Sequence, residues 1–420
     1  MRILFLLQEF PYPPDNGVRW KPYTLLKGLS SRQECHILCF SGEFSRAARE
    51  GFLRECPGVK ILGIFRPRNR SALSWLSGLL HAGLPSAGVY RNREFEHALR
   101  SALSETNYDV IHVDMINLVQ YARFLAGHPV LLSVNDAVSL GYSNGARTSP
   151  ALAAKARMAA AARVIRNYER RAYKNMVVHV VSGVDQAYLR HICPTARVEL
   201  VELPVDPSYL DASTSSGAEG PRIVTFPLAR NLASRDLALA VVSGLRSALA
   251  QRGLEASIEI IGAGADPSFL RQLQPLNGVR YLGWVEDYRA ALAKASVIVI
   301  PDRAGSGTKN RALQAMALGK PVVTTPLVAA GVGAEHNRHC LICGSADEFV
   351  ASITALLSDN PLANSLASEA RSLIHRRHHP ECVALKWEAL YARLSARAAD
   401  AGGNERPLSQ RGIAATRHVL

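Results

Sequence analysis

Short aliphatic and β-branched runs recur along the chain, each divided from the next by a stretch of helical character. They fall at residues 3–7, 36–39, 110–113, 130–134 and 177–182. Strands joined by crossover helices must run parallel, and a parallel sheet needs helices on both faces. The pattern then starts again at 223–226, 257–261, 297–301 and 321–325. The expected fold is therefore α/β, with two doubly wound, Rossmann-like units in succession. In such sheets ligands lie at the carboxyl ends of the strands, so the residues just after each strand are where chemistry is to be sought.

The segment Glu202-Leu-Pro-Val-Asp206 and the Gly/Ser-rich stretch 211–220 place a boundary near residue 205, because Pro and Gly favour loop over element. This divides the chain into a first unit at 1–205, a second at 206–375, a bridging helix at 376–397 and a tail at 398–420. A chain of 420 residues with 48% hydrophobic and 20% charged residues can bury a core in each unit.

Charge and cysteine usage narrow the classes. The net charge of +14 divides as +10 over residues 1–205 and +4 over 206–420, and such a surplus attracts polyanions of any kind. It is spread rather than striped, and no nucleic-acid-binding module accompanies it, so a nucleic-acid partner is not expected. Seven cysteines without regular spacing are not a disulfide framework and fit a reducing compartment. Cys340 and Cys343 form one CxxC without a second ligand pair, which leaves a metal site or solvent-side thiols, and no metal is expected. The opening run MRILFLL is too short for the core of a signal peptide and reads as a buried first strand. No stretch approaches the ~20 apolar residues of a membrane span, so membrane contact is expected to be peripheral.

The most informative segment is PDRAGSGTKNRALQAMALGKPVVTT at 301–325. A strand ends, a turn follows at Gly305, Ser306, Gly307 and Thr308, and a helix begins near Lys309. Glycines at a helix start let backbone amides approach a diphosphate, and the helix dipole adds a fixed positive end. Lys309 and Arg311 add charge beside it. The segment resembles the donor-binding motif of family 4 glycosyltransferases, in which a glycine-rich turn leads into a helix written LEAMAxGxPVV. The opening Phe10-Pro-Tyr-Pro-Pro-Asp-Asn-Gly17, followed by Arg19 and Lys21, resembles the start of exosortase-associated sugar transferases.

The resemblance implies the GT-B fold, in which two Rossmann-like units face a central cleft. Gly17, Arg230, Arg235, Gly305, Ser306, Gly307, Thr308, Lys309, Arg311 and Gln314 would contact a UDP- or GDP-sugar donor, with Arg19 and Lys21 on the acceptor side. Arg230 and Arg235 stand where relatives carry an Arg and, five residues on, a Lys that grip the phosphates; Arg binds such oxygens bidentately. Asp114 and Asp136 follow two strands of the first unit, with His112 two residues before Asp114. A carboxylate there can take a hydroxyl proton or position an acceptor; the structural alternatives are a turn cap at Asp136 and a core histidine at His112.

By resemblance, the activity is a retaining transfer of a sugar to a glycan or lipid-linked acceptor in surface polysaccharide assembly, in the cytoplasm at the inner membrane. No metal or other cofactor is implied, since basic side chains and a helix terminus can stabilise the departing diphosphate. Gln314 and Ser306 stand where relatives carry glutamates, which leaves open a weakened protein acting as a binding or partner subunit. Finally, Arg66, Arg68 and Arg70 precede a stretch at 71–83 whose Trp75, Leu76, Leu79 and Leu80 share helical spacing. It is either a face for anionic lipid or an ordinary packed helix.

Overall fold

The computed structural model describes residues 1–211, 221–228, 232–265 and 267–403, without the side chains of 232, 233 and 398–403. Two sheets, parallel throughout, carry the fold. In the first the strands are β1 (Arg2–Leu7), β2 (Glu34–Phe40), β3 (Val59–Phe65), β4 (Val110–Asp114), β5 (Val130–Asn135), β6 (Val177–Val180) and β7 (Arg197–Leu200). Their order is β3-β2-β1-β4-β5-β6-β7. The second holds β8 (Ile223–Pro227), β9 (Ser257–Ile261), β10 (Val279–Gly283), β11 (Val297–Ile300), β12 (Val322–Thr324) and β13 (Leu341–Ile342) in the order β10-β9-β8-β11-β12-β13. Each order reverses next to the unit's first strand, between β1 and β4 and between β8 and β11. Such a reversal opens a crevice at the carboxyl ends.

Both faces of the first sheet are covered, as its parallel strands require. Alternate residues divide cleanly. Leu4, Leu6, Ile111, Val113 and Leu132 join one core, while Ile3, Phe5, Leu7, Val110 and Leu131 join the other. That second core is closed by the last helix, Pro380–Gly403, through Val383, Trp387, Leu390, Tyr391 and Leu394. The bridging helix expected at 376–397 is thus two elements, since Asn360–His378 ends against the second unit and Pro380–Gly403 crosses back to the first. It continues as helix to Gly403, past the expected end at 397; residues 404–420 of the expected tail lie outside the described residues.

The connector between units packs on the second. Leu203, Val205, Tyr209 and Leu210 enter the core beneath β11 and β12. Glu202 is held there by Arg377 at 3.1 Å and Lys386 at 2.7 Å, one from each of the last two helices. The CxxC thiols are not solvent-side: Cys340 and Cys343 flank β13, are buried, and burial pushes Cys340 up to about 12. Among the described residues no group of three or more His, Cys, Asp or Glu could hold a metal ion.

Candidate functional site

The crevice between the units is built on the turn after β11. Gly305 and Gly307 have φ of +106° and +67°, which an L side chain rarely adopts. A β-carbon on Gly307 would also stand 3.1 Å from Cβ of Asp136. The turn feeds the helix Asn310–Ala317. Together with Asp302, Arg303, Thr325, Pro326 and Gly331, it lines a cavity of about 510 Å³ whose opposite wall is Leu140, Asn144, Arg147, Ser182 and Asp185 of the first unit.

Each residue of the turn bonds across this crevice. Asn144 Nδ2 donates to the Gly305 carbonyl at 2.8 Å, and Ser306 Oγ donates to Asp136 Oδ2 at 2.7 Å. The Gly307 N–H donates to Asp185 Oδ2 at 3.0 Å, and Thr308 Oγ1 donates to the Val181 carbonyl at 3.2 Å. Asp185 also accepts from the Ala137 N–H at 2.9 Å and from Ser182 Oγ. The amide that a donor phosphate would seek therefore already holds a carboxylate from the other unit. Burial, then the neighbouring Asp185, raises the Asp136 carboxyl above its ordinary range.

The expected cations are engaged within the protein. Lys309 Nζ donates to the Ser306 carbonyl at 2.7 Å, and burial lowers its ammonium pKa. Arg311 pairs with Asp302, and Arg235 donates to the Gly264 carbonyl at 2.6 Å while lying over the Phe269 ring. Arg230 lies outside the described residues. The cations that line the cavity are instead Arg147 and Arg303, neither singled out in the sequence. Arg303 is legible in principle, being three residues past β11. Arg147 is not, because only the packing of Val138–Thr148 brings it to the crevice wall.

Gln314 and Gly17 do not share that cavity. They line a second one of about 350 Å³ with Trp20, Pro204, Asp206, Tyr209 and Asn310. Gly17 opens the helix Gly17–Leu29, capped by Asn16, whose side chain accepts from the Val18 and Arg19 amides at 2.9 and 3.0 Å. Arg19 is paired with Glu9 and Asp15, both at 3.1 Å.

Lys21 departs furthest from expectation. It is buried rather than presented to an acceptor, and its ammonium bonds Asp114, Asn135 and, at 2.6 Å, Ser133. Ser133 Oγ meets His179 Nδ1 at 2.9 Å, and the His179 ring packs on Trp387 with centroids 4.3 Å apart. Burial alone would raise the Asp114 carboxyl, but Lys21 and His112 hold it below the usual range. His112 is enclosed by Phe5, Trp387 and Tyr391, with Nδ1 at 2.7 Å from the Tyr391 hydroxyl. Asp114 and His112 thus lie inside a buried network beneath the last helix. Of the three expected catalytic groups, Asp136 alone reaches the crevice.

Two parallel-stranded units facing a cleft, with helices on both faces and a last helix returning to the first unit, define the GT-B architecture. Within it, residues 228–359 match the protein family described as Glycosyl transferases group 1, so the second unit carries a domain of that kind. Sucrose-phosphate synthase from Thermosynechococcus elongatus has a TM-score of 0.70 at 16% identity, covering 94% of this chain and 100% of its own. Anabaena HepE in complex with UDP has a TM-score of 0.64 at 18% identity, covering 94% and 100%. WaaG, a glycosyltransferase involved in lipopolysaccharide biosynthesis, has a TM-score of 0.60 at 13% identity, covering 92% and 98%. At these identities the likeness is one of fold. No match was found among curated proteins.

Proposed function

We propose that the chain transfers a sugar from a nucleotide-sugar donor to a glycan or lipid-linked acceptor. The observation that carries this reading is the positive-φ glycine turn at the start of Asn310–Ala317, which faces a cavity between the two units. The group 1 glycosyl transferase match over 228–359 supports it, as do HepE and its complexes with UDP and UDP-glucose. The donor is a UDP-sugar in preference to a GDP-sugar. Its diphosphate lies over Gly305–Thr308, with Lys309, Arg147 and Arg303 as cations and Arg235 and Arg311 as further contacts; Arg230, outside the described residues, is a contact that the sequence resemblance implies. Electrostatic preorganisation of this kind lets a diphosphate leave without a metal ion. Asp136 is the base or acceptor-positioning group, since a raised carboxyl pKa suits proton transfer near neutral pH. Transfer is retaining, and the product belongs to a surface polysaccharide assembled at the cytoplasmic face of a membrane.

A second reading is favoured by one specific observation: Asp185 occupies the turn amide, and Gln314 and Ser306 replace acidic positions. On that reading the protein is a catalytically weakened partner subunit. Thermal stabilisation across a panel of UDP- and GDP-sugars, followed by a turnover assay on the best binder, separates the two. A ligand at a hundred times its Kd stabilises by about 2.7 kcal/mol. Stabilisation with turnover supports the transferase, whereas stabilisation without turnover, or a folded protein with no response to any nucleotide sugar, removes it in favour of the partner subunit.

A further inference from the structure

The helix Ala72–Ala82 leaves its apolar side uncovered. Leu73, Trp75, Leu76, Leu79 and Leu80 are 79%, 53%, 52%, 46% and 71% exposed, a concentration found nowhere else among the described residues. The opposite side is fixed hard against the protein. A β-carbon on Gly78 would meet the Pro85 carbonyl at 2.2 Å, and one on Gly88 would meet the Ser74 carbonyl at 1.8 Å. The helix is therefore seated at its small residues and presents its large ones outward, the reverse of an ordinary amphipathic surface helix. Scattered exposed leucines need no explanation, but a contiguous group marks an interaction site.

The flanking chain carries one sign of charge. Between Glu55 and Glu94 the chain has no acidic residue, and Arg66, Arg68 and Arg70 are exposed. A second element adjoins, which the sequence did not mark. The helix Leu152–Ala172 exposes Lys155, Arg157, Arg163, Arg170 and Arg171, together with Leu152 and Val164. Its one acid, Glu169, is turned inward onto the Ser139 amide and hydroxyl. The two helices meet at Gly83, where a β-carbon would lie 3.2 Å from Nη2 of Arg171.

We infer that Ala72–Ala82 and Leu152–Ala172 together form a docking face for an anionic lipid bilayer, the first inserting its leucines and Trp75 and the second lying on the headgroups. Charge complementarity selects the occupant, since an apolar side flanked by Arg66, Arg68, Arg70, Arg170 and Arg171 suits negatively charged lipid better than a protein partner of mixed charge. No helix among the described residues is long and apolar enough to cross a membrane, so attachment is in the plane of the interface. The face also has a place relative to the cleft. Leu152–Ala172 packs on Val138–Thr148, with Arg166 bonded to Ser143 Oγ at 3.3 Å, and Val138–Thr148 supplies Leu140, Asn144 and Arg147 to the crevice wall. One helix layer therefore separates the bilayer from the site that would receive a lipid-linked acceptor. The face itself stands on surface geometry and not on the transfer reaction.

The test is flotation of the full chain with vesicles of phosphatidylcholine alone or with about one-third phosphatidylglycerol. Binding is expected only to the anionic vesicles, weakening as salt rises because exposed charges are screened. Leu73→Ser with Leu80→Ser should weaken it by roughly a hundredfold, and Arg163→Ala with Arg170→Ala by roughly tenfold. All four positions are exposed, so folding is spared, and unchanged thermal stabilisation by the best nucleotide-sugar ligand reports an intact cleft. Equal recovery with neutral and anionic vesicles, variants that bind like the parent, or a dimer in solution that Leu73→Ser with Leu80→Ser dissociates would each overturn the proposal. Failure of nucleotide-sugar binding with vesicle binding intact would instead remove the transferase reading and leave the docking face standing.

Discussion

The two units share a strand order and spend their strand ends in opposite ways. In the first, the ends of β4 and β5 are sealed: Asp114, Ser133 and Asn135 all close on the ammonium of Lys21, under a lid of Trp387 and Tyr391. In the second, the end of β11 passes into a turn whose Gly307 amide, Gly305 carbonyl and Ser306 hydroxyl face the crevice, with the charged side chains of Lys309 and Arg311 folded back. Topology fixes where a crevice opens but not which side of it holds the reactive groups. Here the first unit seals the ends of two strands and meets the cleft with side chains beyond them, Asp136, Asn144 and Asp185, each bonded to the turn of the second.

The comparison is broken most severely at Lys21. Lys21→Met should cost about 3–5 kcal/mol by leaving Asp114 buried and unpaired, measured by urea unfolding, and Asp114→Asn added to it should restore most of that loss. A single variant costing under about 1 kcal/mol would mean that the wall does not depend on this pair.

A second consumed charge sharpens the contrast through pH. Burial raises Glu169 to about 7 from its ordinary 4.5, so the folded protein holds this proton more tightly than the unfolded chain. Its contribution is fully present below pH 4.5 and is lost as pH rises through 7, about 3 kcal/mol in all. The Glu169→Gln variant should lack this dependence, and the difference in stability between the two proteins, followed from pH 4.5 to 8, reads it directly. Parallel pH curves would show the carboxylate to be charged in the fold.

The smallest expected effect lies on the other side of the cleft. Gln314→Ala should weaken binding of the best donor by ~0.5–1.5 kcal/mol, one net hydrogen bond, while Gln314→Glu keeps or raises affinity. Calorimetric titration checks both. No change in either would mean that the 350 Å³ cavity around Gln314 is not part of the donor site.

Much of the fold was legible because parallel strands advertise themselves as apolar runs; the runs at 257–261 and 297–301 differ from β9 and β11 by at most one residue. Four strands were omitted: β7 reads Arg-Val-Glu-Leu, β10 is broken by Arg280 and Gly283 and β13 has two residues, so none makes a run, whereas β3, Val-Lys-Ile-Leu-Gly-Ile-Phe, is an apolar run and was simply missed. The glycine turn was legible for a local reason, since positive φ is written in the residue type. Lys21 was not. Its burial depends on Asp114, 93 residues away, and no local pattern distinguishes that lysine from a solvated one. The same holds for Asp185, whose role arises only when Gly307 of the other unit reaches it.

The return of the last helix to the first unit bears on how the protein is made. Phe5, Leu26 and His112 share a core with Trp387 and Tyr391, so the first unit leaves the ribosome with that side of its sheet only partly covered, by Gly17–Leu29 and its neighbours. At 5–20 residues per second, roughly 10–40 s pass before the chain reaches Leu394. For that interval the first half of the protein carries an apolar gap in its core where Trp387 and Tyr391 will sit, a natural site for a chaperone. A chain cut short before residue 380 would take from the first unit the five side chains that complete this core and leave the cores of the second intact.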